Sequence, residues 1–220
     1  MNNTPQHLGE LAGRAGNRLE GIVPDHLRHA VSPLITWAAI HLGAVAIAET
    51  IIGKIRTPVG LHQLESALAP TTHHLLEASA YLTASTSTIA SIDLCASAAA
   101  RLAGGKPRRG EYDLNDVNEG RVCLPQASAA WVSETKSAKV QLILEAARAQ
   151  SVHRATSRGA QLSTSDHIPP DDFIIDGRVY PVDALIRDFA CHGEDTFLAF
   201  CAALEEDWPT MDWPFDFPAT

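Results

Sequence analysis

Three stretches of this chain pair an arginine with a histidine five or six residues later: Arg56 with His62, Arg148 with His153, and Arg187 with His192. Imidazole is the side chain that titrates near neutral pH, and guanidinium is a permanent planar cation with a fork of N–H donors. Together they can transfer a proton beside a centre where negative charge develops. Arg154 and Arg158 follow the second pair and thicken its positive charge, while Asp188 directly follows the arginine of the third. Lys106, Arg108 and Arg109 make another short basic patch in a segment flanked by Gly and Pro. Each of these clusters also has a plain structural reading, as solvated surface or as cations at a helix end.

Other constellations are softer. His62-x-x-Glu65, with His73, His74 and Glu77, puts imidazoles and carboxylates on successive helical turns, and His41, Glu49 and Asp93 could complete a metal site. The order is the reverse of the Glu-x-x-His that di-iron bundles supply, so a solvated histidine at a helix start is the expectation and no metal ligand is assigned. Asp171, Asp172 and Asp176 form D-D-x-x-x-D, which resembles the carboxylate cluster of isoprenoid synthases; flanked by Pro169-Pro170 and Gly177, they read as a helix N-cap or turn acids. His192 with Cys191 and Cys201 could supply three ligands, one short of a closed zinc site. With no Gly-rich phosphate loop, H-E-x-x-H or G-x-S-x-G, no cofactor is expected.

The helix end RAQSVHRATSRG, preceded by an aromatic-led amphipathic helix, resembles the Arg-x4–6-His signature of HEPN domains, helical bundles that are often ribonucleases. The resemblance covers this segment and the bundle-like layout of residues 31–207. It implies a homodimer of the bacterial type in which Arg and His act on RNA without a metal. Arg148 would then bind and polarise the phosphate and His153 would be the general acid and base. Arg154, Arg158, Lys106, Arg108 and Arg109 would contact RNA. The family usually carries Asn, Asp or His after its arginine; Ala149 stands there in the second pair and Asp188 in the third, which makes Arg187, Asp188 and His192 a rival catalytic set. Two other functions are open: a non-enzymatic protein–protein interaction or assembly protein, and a metal-dependent helical-bundle enzyme.

Composition limits these readings. At 220 residues, 45% hydrophobic and 20% charged, the chain is ordinary for a globular protein with a sizeable core. A net charge of −9 argues against a general electrostatic grip on nucleic acid and leaves only a local patch. Four dispersed cysteines without a C-x-x-C pair read as reduced, mostly buried thiols of a cytoplasmic protein. The first 21 residues lack a positive region followed by an apolar core, so export is not expected.

These residues must be positioned by helices. The pattern predicts an all-α bundle of about five to seven helices with at most one small β-hairpin. An N-terminal extension spans residues 1–30, and Pro24 and Pro33 bracket a turn into the apolar stretch Leu34 to Gly53. His41 and Glu49 are costly in hydrocarbon, so that stretch reads as a central buried helix, with no membrane. A short helical piece follows Pro58. A helix then starts at Thr71 or Thr72, stops at Gly104-Gly105, and shows Leu75, Leu82, Ile89, Ile92 and Ala96 on one face. Residues 104–126 read as a long loop. One helix from Trp131 to Arg158 follows, with Trp131, Ala138, Leu142, Ala146 and Ala149 inward. Asp176-Gly177 marks a hairpin, and Asp183 to Glu206 forms one helix or two broken at Gly193. The tail, residues 208–220, holds three Pro and four aromatics and is expected to lie extended across an apolar groove of its own or of a protein partner.

Overall fold

Ala, Ser and Thr crowd the middle of the stretch between Thr72 and Leu102, and side chains this small let neighbouring helices approach closely. A computed structural model shows an all-α bundle built on that stretch. It describes residues 25–55, 57, 72–107, 110–149, 172–175 and 178–208, with side chains within 29–55, 76–107, 110–148 and 178–208. Among these are six helices: α1 (Asp25–Ile55), α2 (Thr72–Leu102), α3 (Leu114–Asn118), α4 (Gln126–Ser137), α5 (Lys139–Ala149) and α6 (Val182–Asp207). Strands β1 (Asp172–Ile175) and β2 (Arg178–Pro181) pair antiparallel, with Ile175 opposite Arg178 on either side of Asp176-Gly177, as the turn dipeptide predicts. The expected helical piece after Pro58 and the tail beyond Trp208 lie outside the described residues.

α2 is the spine. Ala84, Ser85, Thr88, Ser91, Ala96 and residues 97–100 are all buried. Buried hydroxyls need acceptors. Ser85 donates to the Leu82 carbonyl at 3.2 Å, and Thr88 to the Phe189 carbonyl of α6 at 3.4 Å. α2 ends as Gly104-Gly105 predicts: Gly104 takes φ 82°, its N–H bonds Arg101 O, and the Gly105 N–H reaches back to Ala100 O at 2.8 Å. Leu82 departs from its predicted face and is exposed.

α1 lays Val31, Ile35, Ala38, Leu42, Val45 and Ile52 on α2 and α6. It begins before Pro33 and runs through it, correcting the expected turn. The missing Pro33 N–H frees the His29 carbonyl, and both residues are exposed, so water can satisfy that carbonyl. α6 is continuous through Gly193, so of the two expected forms the single helix holds. A Cβ at Gly193 would stand 2.8 Å from Leu42 Cδ2 and 3.2 Å from Thr88 Cγ2, so the glycine serves close packing of three helices.

The single helix expected from Trp131 is instead α4 and α5, separated at Ala138 (φ −61°, ψ 132°). α4 stays on α6: Trp131 Nε1 donates to Thr196 O at 3.0 Å, and its ring centroid lies 5.3 Å from that of Phe200. The Ala127 and Ser128 amides at the start of α4 donate to the buried Asp207 carboxylate at 2.9 and 2.7 Å. An acid at the C-terminal end of α6 opposes that helix's own dipole, and the positive end of α4 offsets it. The break resets the helical phase, so α5 buries Gln141, Leu144 and Ala147 and leaves Leu142, predicted inward, 54% exposed. The predicted loop also contains a helix, α3, where Asp113 accepts the Asp116 N–H at 2.7 Å and Leu114 and Val117 are buried.

Candidate functional site

Gln141, Glu145 and Arg148 stand one turn apart on α5 and share a face. That face meets α2, α4 and α6. His192 Nε2 of α6 donates to Gln141 Oε1 at 3.1 Å, and Gln141 Nε2 donates to Glu145 Oε1 at 3.1 Å. Lys136 of α4 donates to both Glu145 oxygens at 2.7 Å. Asp93 of α2 accepts the Leu114 N–H of α3 at 3.0 Å on one oxygen. Its other oxygen faces Arg148 Nη1 at 3.8 Å. One polar seam thus ties five helices together.

Its electrostatics are uneven. Burial pushes the Asp93 carboxyl up to about 6; Asp113 and Glu145 push the same way, while the Leu114 amide and Arg148 pull against them. Burial lowers the pKa of His192, with Asp195 opposing, which favours a neutral ring fixed by Gln141. Arg148 lies beyond hydrogen-bond distance of Asp93, and its side chain is 52% exposed.

The predicted residues separate. Arg187 and Asp188 are exposed on α6, whereas His192 is half-buried. Five residues turn a helix by about 140° beyond a full circle, so this Arg and His do not share a face. The seam instead collects Arg148 from one predicted pair and His192 from another. Lys106 is exposed; Arg56, His62, Arg108, Arg109, His153, Arg154 and Arg158 lie outside the described residues. No group of three His, Cys, Asp or Glu among the described residues could hold a metal ion. The thiols correct the expectation of burial: Cys95 is buried, Cys201 half-buried, and Cys123 and Cys191 exposed. Asp93 and Gln141 were missed in these roles, because their partners lie 21 and 51 residues away and no spacing announces them.

A second feature has the opposite character. Trp37, Ile40 and Ile47 on α1 are 56%, 50% and 52% exposed. At 100° per residue they fall on one outward arc with Pro33, Thr36, Gly43, Ala44, Thr50 and Ile51, and no charged side chain stands on that arc between His29 and Lys54. The span His29–Ile55 is long and apolar enough to cross a membrane by length and composition, with 39% of its most apolar window buried.

Compared with protein-family models, curated proteins and solved structures, the chain matches none.

The raised Asp93 pKa carries a sign. The folded state holds this proton more tightly than the unfolded chain, so the stability it contributes is full below about pH 4, falls as pH rises toward 6, and is flat above. In urea unfolding, the stability of wild type relative to Asp93→Asn should fall by on the order of 2–3 kcal/mol between pH 4 and 7. A difference independent of pH contradicts the assignment.

Proposed function

We propose that this chain is a helical assembly protein that docks a protein surface through the outer face of α1. The observation that carries this reading is the uncharged arc from Pro33 to Ile51 with three large apolar side chains half exposed. Scattered exposed apolar residues are ordinary, but a contiguous stripe of about five helical turns is the kind of patch that marks an interface. The inner face of the same helix is already committed to the core, so the arc is not needed to fold it. A photo-reactive residue placed at Ile47 should give protein adducts in cells, while the same group at exposed Glu134 of α4 should not. Absence of adducts at Ile47, or adducts to lipid alone, contradicts the reading.

A second reading has one observation in its favour. Arg148 is oriented by Asp93 at 3.8 Å without being consumed by it, so its donors stay available to a phosphate oxygen. With the resemblance to HEPN domains, this supports a metal-independent RNA site of Arg148 and His153 in a homodimer. Here a single-stranded and transfer RNA panel in EDTA should be cut by wild type and not by Arg148→Ala or His153→Ala, with His192→Ala retaining activity. No cleavage by wild type removes this reading.

A further inference from the structure

We infer that Cys95 of α2 and Cys201 of α6 are a peroxide-sensitive pair, which oxidation joins in an intramolecular disulfide that staples the two core helices. The inference is independent of both functional readings above.

Contacts between the two helices set their register. The ring centroids of Tyr81 and Phe189 lie 6.4 Å apart, Thr88 donates to the Phe189 carbonyl at 3.4 Å, and Thr88 Cγ2 stands 3.2 Å from where a Cβ on Gly193 would be. The contact moves up α6 as it moves up α2, so the helices run in the same direction. Tyr81, Thr88 and Cys95 follow one another by seven residues and share a face of α2. Gly193, Phe197 and Cys201 follow one another by four and make a stripe on α6. From the Thr88–Gly193 contact, Cys95 lies about 10.5 Å onward and Cys201 about 12 Å onward. The two cysteines therefore reach the same level of the same interface. A disulfide needs Cα atoms roughly 4.4–6.8 Å apart, and the missing Cβ of Gly193 brings these helices close just before that level. The thiols also feel one another: burial first, and then Cys201, push the Cys95 pKa well up, and Cys201 does so more than Asp93, a near neighbour on α2.

Unequal exposure assigns their roles. Cys201 is half-buried and is the member a small peroxide can meet, whereas Cys95 is 1% exposed. The Cys201 sulfur attacks the O–O bond of a hydroperoxide: an S–O bond forms, the O–O bond breaks, and the thiol proton leaves with the alcohol or water released. Cys95 then attacks the sulfenic acid sulfur; the S–S bond forms, the S–O bond breaks, and the Cys95 proton leaves with the hydroxide as water. Two electrons pass from the pair of sulfurs to the peroxide. Cys191 precedes Cys201 by about 15 Å of helix, too far to bridge it. Burial, with Glu49, Asp195, Asp188 and Glu194, raises the Cys191 pKa and disfavours its thiolate.

The test is hydrogen peroxide treatment of the reduced full chain near neutral pH, followed by alkylation in urea, intact mass and peptide mapping. Wild type should lose two of its four alkylatable thiols, weigh two hydrogens less, and yield the Cys95 peptide joined to the Cys201 peptide. The bridge should form equally in the Cys123→Ser, Cys191→Ser double variant. Cys95→Ala should instead hold a dimedone-reactive sulfenic acid at Cys201, and Cys201→Ala should leave Cys95 alkylatable. Because the bridge closes a long loop, the oxidised chain should unfold at higher urea than the reduced one, and dithiothreitol should reverse the shift. Four alkylatable thiols after peroxide, a bridge through Cys123 or Cys191, or a bridge formed only when peroxide is added in urea overturns the pair. A lower urea midpoint for the oxidised chain overturns a staple that fits this fold.

Discussion

The bundle depends on how closely α1 and α6 can approach the small-residue face of α2. Buried Ala, Ser and Thr along α2 leave little side chain between backbones, and Gly193 removes the Cβ where α6 meets Leu42 of α1 and Thr88 of α2. Dispersion contacts fall off steeply with separation, so a small gap at this crossing would be felt in all three helices. Two of the hydroxyls on this face find carbonyls, Ser85 on its own helix and Thr88 on Phe189 of α6. A face of such uniform residues specifies register poorly. The directional contacts lie around it: Trp131 on Thr196 O, Asp207 at the start of α4, and Asp93 at the start of α3.

That division explains what could be read beforehand. The all-α class, the Gly104-Gly105 stop and the hairpin at Asp176-Gly177 follow from local chemistry, which is visible in sequence. The break at Ala138 does not, since alanine is a strong helix former and no Gly or Pro stands there. It is imposed because α4 must stay on α6 while α5 turns toward α2. Once the phase shifts, Leu142 goes outward and Gln141 inward. Pro33 was read as part of a turn, and Gly193 left one helix or two open; exposure at the first and a crowded crossing at the second let both helices run on. The basic character of Arg148 was legible, but Asp93, which orients it, is 55 residues distant in sequence and is brought in by α2.

The two surfaces of α1 pose the remaining physical question. A helix that is apolar all round is normally covered all round. Here the inner face is covered by α2 and α6, and the outer arc carries Trp37, Ile40 and Ile47 into solvent. The polar seam is different: each of its groups has a partner within the chain, and Arg148 alone combines a long ion pair with exposure. On that comparison α1 is the surface that asks for another molecule, and the seam is chiefly a clasp that holds α5 in place.

The most direct test of the close-packed crossing is urea unfolding of Gly193→Val. Valine is the better helix former, so intrinsic propensity alone would leave the protein equally or more stable. If the crossing controls the fold, overpacking against Leu42 and Thr88 outweighs that gain and stability drops by about 1–3 kcal/mol. Unchanged or increased stability would contradict this account of the core.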